Sequence, residues 1–454
     1  MVKRMIVKDA QFGNIRFIHC VKLNTGLPVE NIKKTHPPIS NLMARTIQKI
    51  FMLILPGLLA AGSLSAQRRK YIPLRDPATQ RSSRDSVAEA DMGDVLHSVF
   101  HLPPAAKKKD TAGARPEISV VPALGYSLQS RLAVLLAGNA IFRTAPQSKV
   151  STIVSNLAYT QNKQVTLPIQ SSIWSHNNHY DFVGEIRLYH YPQSTFGLGS
   201  SSDIESEAPM NYDYLRFSEI VLRKISGNFY LGGGYIIDYH TNITIESTEN
   251  GTVPDYLNYG VKSHTTSSGL TLNGQYDNRD SPINPFTGTY ATFELRQNMK
   301  VLGSTSTWSS LILDVRKYVN FPAGSKNVLA LWSYDWLTLS GAPPYLDLPS
   351  TLWDASTNAG RGYIQGRYRG AQMVYAEAEY RYRIIRNGLI GGVVFLNAQT
   401  FSAAPGTRLQ SVQPGFGPGL RVKLNKVSRT NISIDYGFGT QGSHGLFVNV
   451  GELF

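Results

Sequence analysis

The feature that most constrains this fold is a two-residue alternation sustained over long segments. In Tyr375–Ile384, Glu377, Glu379, Arg381 and Arg383 share one face, while Ala376, Ala378, Tyr380, Tyr382 and Ile384 share the other. In Asn431–Phe438, Asn431, Ser433 and Asp435 oppose Ile432, Ile434, Tyr436 and Phe438. In Pro414–Leu424, Arg421 and Lys423 oppose Leu420, Val422 and Leu424. A period of two belongs to a β-strand, whose side chains point alternately to opposite faces. About sixteen such segments follow from this period and the turn signals between them. They begin near Glu117, Gln129, Lys149, Lys163, His179, Met210, Asn228, Ser263, Thr287, Ser306, Lys326, Ala371, Gly388, Ser411, Ser428 and Ser443. An open soluble sheet also alternates, but a soluble sandwich rarely repeats an aliphatic face over so many long strands. A barrel in lipid inverts the layout, with apolar side chains outside and charges in the lumen. The expected fold is all-β, a transmembrane antiparallel β-barrel of about 16 strands. Only 17% of residues are charged and the mean hydropathy is −0.18, which suits strands with one face of each kind. Trp174, Tyr180, Trp332 and Trp336, near strand ends, fit interfacial girdles and fit ordinary strand packing nearly as well.

Within this regular pattern, residues 342–370 form an unusually long connection. A Pro-rich start (Ala342-Pro343-Pro344-Tyr345, then Leu348-Pro349) leads into Gly360-Arg361-Gly362-Tyr363-Ile364-Gln365-Gly366-Arg367-Tyr368-Arg369-Gly370. Its glycines let the backbone turn back on itself, and Arg361 carries a planar five-donor fork that seeks a carboxylate. Composition leaves two readings open: an exposed surface loop, or a loop folded into the barrel with Arg361 as its latch.

The chain before Glu117 is of another kind. Residues 43–66 read as a secretory signal: Met43, then Arg45 and Lys49, an apolar run from Ile50 to Ala61, and small residues Ser63-Leu64-Ser65-Ala66 for cleavage. The apolar run falls short of the roughly 20 residues that a helical span needs. No cysteine follows it, which argues against a lipid anchor. Residues 1–42 read as a mis-assigned start or an extension, and 67–115 as a linker. Within the linker Met92, Val95, Leu96, Val99 and Phe100 recur at helical spacing, so one short amphipathic helix is expected there. It could plug the lumen, lie on a membrane surface or stay half-ordered, the last being preferred. No other helix is expected after Glu117, and 116–454 is read as the barrel.

Charge and chemistry narrow the function. The net charge of +14 divides into +7 for residues 1–66, +4 for 67–115 and +3 for the rest, so the barrel is close to balance and lacks the basic stripe of a nucleic-acid binder. The only cysteine is Cys20, which leaves the later chain without a disulfide or a cysteine metal site. Asp238, His240, His176 and His179 are catalytic candidates by residue type alone, and His176-Asn177-Asn178-His179 reads far better as a polar turn. Gly232-Gly233-Gly234 precedes no helix, so it is not a phosphate loop. No catalytic residue, metal site or cofactor is assigned, and the chain is not read as an enzyme.

Four motifs, taken in order, carry a family resemblance. They are Asp277-Asn278-Arg279-Asp280-Ser281 with Pro285 and Gly288; Arg361-Gly362-Tyr363; Gly417-Pro418-Gly419-Leu420-Arg421 running on to Ile434-Asp435-Tyr436-Gly437; and Gly451-Glu452-Leu453-Phe454. They resemble the bacterial surface antigen family, the BamA/TamA-type barrels of the outer-membrane protein 85 superfamily. The likeness covers about residues 117–454 and is strongest after 270. It implies a sixteen-stranded barrel whose sixth external loop re-enters the lumen. It also implies that Arg361, flanked by Gly362 and Tyr363, contacts acidic groups on the next two strands. Glu379 matches the first of these. Asn397 stands at the second, where the family usually has Asp; it can still accept a hydrogen bond but brings no charge, and Glu377 is a substitute on the Glu379 face. Residues 67–115 are too few for one polypeptide-transport-associated (POTRA) domain, so the resemblance is to short, POTRA-less members. The last stretch, Leu446–Phe454, looks like the family's terminal strand, with Glu452 a departure on its apolar face.

The function expected from this resemblance is insertion, scrambling or translocation of a lipid or protein through a weak lateral seam. The seam would lie between Glu117–Tyr126 and Leu446–Phe454. Pro122 lacks an amide hydrogen there, Gly442, Gly445 and Gly451 weaken the facing strand, and Phe454 ends it. Outer-membrane lipid and a periplasmic protein partner or client are the expected partners, in the outer membrane of a diderm bacterium. The alternatives are a passive pore gated by loop 342–370 and an enzyme active at the barrel rim.

Overall fold

The computed structural model describes residues 88–99, 116–246, 255–260, 262–352, 359–426 and 428–454. The chain divides into Met1–Ser82 and Ser83–Phe454, and the described residues all lie in the second unit. The expected signal at 43–66, the segment 1–42 and most of the linker therefore lie outside the described residues.

The strands are β1 Glu117–Ser127, β2 Arg131–Phe142, β3 Ser151–Thr160, β4 Val165–Trp174, β5 Tyr180–His190, β6 Gln193–Thr195, β7 Ala208–Ser226, β8 Phe229–Ile245 and β9 Thr265–Asp277. They continue as β10 Gly288–Asn298, β11 Trp308–Asn320, β12 Val328–Gly341, β13 Gln372–Arg383, β14 Ile390–Ser402, β15 Gln413–Asn425, β16 Thr430–Phe438 and β17 His444–Val450. All pairings are antiparallel, each between successive strands except that β5 pairs with β7, and β1 also meets β17, so the sheet closes into a sixteen-stranded barrel. The seventeenth, β6, is a three-residue strand that continues the edge of β5 against β7 and was not foreseen. Each barrel strand starts within two residues of its expected position.

The alternation sorts the side chains as a lipid-facing wall requires. Ile118, Val120, Leu124, Leu132, Val134, Leu136 and Leu396 are exposed, while Glu377, Glu379, Arg381, Arg421 and Lys423 turn inward and are buried. Two of the aromatic residues considered for girdles also turn inward. Trp332 packs among Tyr334, Tyr375 and Phe454, and Trp174 packs edge-on against Tyr230. Tyr363 and Tyr368, from the connection between β12 and β13, are buried in one cluster with Trp332 and Tyr375 of the wall.

Short turns such as 227–228, 384–389 and 426–429 mark one end of the barrel, and longer connections such as 191–207 and 342–371 mark the other. Among the described residues two α-helices stand outside the strands. α1, Met92–Val99, falls where the apolar spacing placed it. α2, Asp255–Gly260, contradicts the expectation of no further helix. It is too short to show a period, and it forms where Tyr256 and Tyr259, three apart, both lie edge-on to Tyr345 at 5.1 and 5.7 Å.

Candidate functional site

The glycine-rich centre of the 342–371 connection is buried, not exposed: Arg361, Tyr363, Arg367, Tyr368 and Arg369 are all withdrawn from solvent. Gly360 and Gly362, at φ +113° and +103°, adopt the left-handed conformation that glycine accepts without a Cβ clash, and so turn the chain on either side of Arg361. The guanidinium then meets three carboxylates. Nη1 donates to Asp435 Oδ2 at 2.6 Å, and Nη2 donates to Glu379 Oε2 at 2.5 Å and also to Glu377. The ring of Phe395 lies 3.7 Å from it. Tyr363 fixes the other side of the turn, donating from its hydroxyl to the Pro414 carbonyl at 2.5 Å and accepting from the Thr440 amide at 3.0 Å.

These carboxylates are shared. Glu379 Oε1 accepts from Arg381 Nε at 2.6 Å, and Asp435 Oδ1 accepts from Arg421 Nη1 at 2.5 Å. Arg421 Nε reaches Glu452 Oε2 at 2.8 Å. Charge thus alternates from the loop through β13, β15 and β16 to the segment after β17. Full burial makes each single removal costly, because the partner is left charged and desolvated.

Of the expected latch residues, Arg361, Glu379 and Glu377 come together. Asn397 is also there but acts in the opposite sense: its Nδ2 donates to the Arg361 carbonyl at 3.0 Å and it accepts nothing from the guanidinium. The third acid is Asp435 on β16, on the polar face that the alternation of Asn431–Phe438 gives it, though nothing in that pattern assigns it to Arg361. The reading of Glu452 as a residue on the apolar face is wrong. β17 stops at Val450, Gly451 turns at φ +108°, and Glu452 becomes a buried partner of Arg421.

The same turn removes Phe454 from the seam. Its ring stacks on Trp332 at 5.0 Å inside the barrel, and its carbonyl accepts from Arg381 Nη2 at 2.8 Å. The closing strand is therefore His444–Val450, shorter than the expected 446–454. Pro122 sits opposite Leu136 in an unbroken eleven-pair register with β2. Gly445 does more than loosen β17: a Cβ there would lie 2.1 Å from Leu128 Cδ2, so its absence admits a side chain from the β1–β2 turn. Gly442 lies in the turn before β17.

Between β1 and β17 a single residue pair is registered, Tyr126 with Val448, among the described residues. By contrast β1 and β2 share eleven pairs and β16 and β17 share seven. Continuing the β1–β17 register brings Val450 opposite Leu124, so β1 residues 117–123 extend past the end of the closing strand.

Asp238 and His240 lie in a second buried group. Asp238 accepts from Tyr214 at 2.6 Å, Arg216 at 3.1 Å and Arg296 at 2.5 Å. His240 stacks on Tyr214 and lies 3.7 Å from Asp347, which also accepts from Ser267 at 2.6 Å. Asp347 belongs to the connection, outside the spanning strands. Burial, and then the Asp238 charge, push its carboxyl up to about 7, against the opposing pull of Ser267, Arg296 and Arg216. His240 is only 1% exposed. His176 and His179 lie in the β4–β5 turn, at the end of the wall where β8 begins at Phe229, whereas Asp238 and His240 lie toward the other end of β8. Among the described residues no set of three or more His, Cys, Asp or Glu is placed to hold a metal ion.

Comparison with known proteins adds a family. The Omp85 superfamily domain model matches residues 156–452. A search of curated proteins finds no match. Among solved structures, BamA from Haemophilus ducreyi lacking POTRA domains 1-3 is similar at 15% identity and a TM-score of 0.48, over 74% of this chain and 69% of that one. CdiB from Acinetobacter baumannii is similar at 12% identity and a TM-score of 0.48, over 74% of this chain and 59% of that one. CdiB from Escherichia coli is similar at 7% identity and a TM-score of 0.46, over 75% and 68%.

Proposed function

Because this chain belongs to the Omp85 superfamily, matching its domain over residues 156–452, we propose that it inserts or translocates a protein or lipid through the seam between β1 and β17. The family's barrels are outer-membrane proteins that assemble or transport other proteins, and this chain is an outer-membrane barrel of that kind. The observation that carries the finer reading is the single registered pair at the seam, Tyr126 with Val448. At about 1 kcal/mol net for each missing ladder bond, such a junction opens far more easily than any other in the wall. The loop centred on Arg361 sits inside the barrel and serves as a latch that keeps the interior filled while the seam opens. Outer-membrane lipid and a periplasmic client are the partners this reading requires, with a secretory signal at 43–66 delivering the chain.

The test is a disulfide across the seam, with Tyr126→Cys and Val448→Cys in one chain. In liposomes, oxidation should abolish lipid scrambling or assisted folding of another barrel and leave ion conductance unchanged. Full activity in the oxidised protein, or solute flux as the sole activity, would replace this reading with a passive pore gated by loop 342–370.

A further inference from the structure

The turn end of the barrel carries a basic mouth that neither the seam nor the Arg361 network uses. Lys326, Arg383 and Lys423 border a cavity of about 60 Å³ whose deeper wall includes Arg381 and Arg421. Arg421 is committed to Glu452 and Asp435. Arg381, 7% exposed, keeps its Nη1 without an acceptor among the described residues. Lys423 is 6% exposed.

A short acidic segment ahead of the barrel reaches this mouth. Glu89 accepts from Arg383 Nη2 at 2.7 Å and lies 3.7 Å from Lys326 Nζ and 4.0 Å from Lys423 Nζ. The contact is more than ionic. The Ala90 amide donates to the Asn387 carbonyl at 3.1 Å, and the Lys426 amide donates to Asp91 Oδ2 at 3.0 Å. Lys426 Nζ holds Asp94 at 2.7 Å. Residues 88–99 contain three acids and no Lys or Arg, and they meet four cations: Lys326, Arg383, Lys423 and Lys426.

We propose that this mouth is a binding site for an acidic peptide, which residues 88–99 occupy in cis and which an acidic segment of another protein takes in their place. The Asn387 carbonyl, which accepts the Ala90 amide, favours a peptide over a phosphate, which has no N–H to give it. The segment is poised to leave. Glu89 remains 37% exposed and the Lys426–Asp94 pair lies at the surface, where each ion pair contributes little and salt screens it. An occupied site lowers the apparent affinity for a competitor by the fraction of time it is free.

The test uses a fluorescent peptide of residues 88–99 and the full chain in detergent at low salt, read by anisotropy. The Glu89→Ala/Asp91→Ala/Asp94→Ala variant should bind the peptide at least about tenfold more tightly than the unchanged chain. Adding Arg383→Ala to that variant should abolish binding. Lys426→Gln, at the surface, should weaken binding and carries the same test if Arg383→Ala does not fold. A peptide with its three acids replaced by amides should not bind, and inorganic phosphate at equal concentration should not displace the acidic one. Equal affinity for the unchanged chain and the triple variant would overturn the proposal, as would binding of the amide peptide. Displacement by phosphate would assign the mouth to phosphate anions instead.

Discussion

Gly437 lies so close to Gly362 that a Cβ on Gly437 would stand 2.5 Å from the Gly362 amide nitrogen. β16 and the buried loop touch backbone to backbone at that point, which only two glycines allow. Gly437→Ala should therefore displace the loop while leaving every charged partner of Arg361 in place. The expected cost is about 1–3 kcal/mol, the usual penalty of overpacking. Limited proteolysis between residues 360 and 370 in detergent should accelerate, and an unchanged cleavage rate would show that the contact does not hold the loop.

Arg361→Ala should be more damaging, on the order of 3–5 kcal/mol, because Glu377, Glu379 and Asp435 lose a shared cation while staying buried. Arg361→Lys should rescue little, since one ammonium cannot reproduce a planar fork that serves three carboxylates. The thermal transition from folded to unfolded gel mobility ranks these variants against Gly437→Ala.

Asn397→Asp offers a sharper comparison. The Asn397 amide donates to the Arg361 carbonyl, so Asp at 397 would set a fourth carboxylate against an acceptor and remove the donor. It should loosen the loop, whereas a guanidinium partner at this position would make Asp tighten it. Protease resistance of residues 360–370 decides between the two signs.

Asp347 makes loop docking depend on pH. Its carboxyl, pushed up to about 7 in the docked state, binds a proton more tightly there than when the loop is free and the group returns to an ordinary value. Docking is therefore favoured below the ordinary aspartate range and weakens as pH rises through about 7. Cleavage of the loop should rise as pH climbs from about 4 to about 7 and level off above about 8. Asp347→Asn should flatten that profile, and a profile equally steep in the variant would assign the titration to another group.

Phe454→Ala should cost on the order of 3–5 kcal/mol, as for a large aromatic lost from a packed interior. Trp332 loses its stacked neighbour in this variant, so its fluorescence emission should shift as the site hydrates. An unchanged spectrum would mean that the ring is not held there.

The wall of the barrel was legible in the sequence because each strand declares itself locally. Glu377 and Ala378 take opposite faces whatever lies beyond β13, and turn residues stop each run, so strand starts fell within two residues. The partners of Arg361 were only half legible. Glu377 and Glu379 are near it in sequence, but Asp435 is 74 residues away and meets it only because the barrel curves β16 round to face β13. The fate of Phe454 was misread for a related reason. Period-two patterning continues through Leu453, and nothing local says that Gly451 will turn the chain inward toward Arg421 and Trp332. α2 and β6 escaped because six and three residues are too few to show a period.

That inward turn at Gly451 makes one short stretch answer to two claims. Residues 451–454 can run on as strand beside the exposed half of β1, or they can supply Glu452 to Arg421 and Phe454 to Trp332, but not both. The salt bridge and the stacked rings thus act as a spacer: while they hold, the barrel keeps an unzipped margin along β1, and its width is set by the four residues drawn inside.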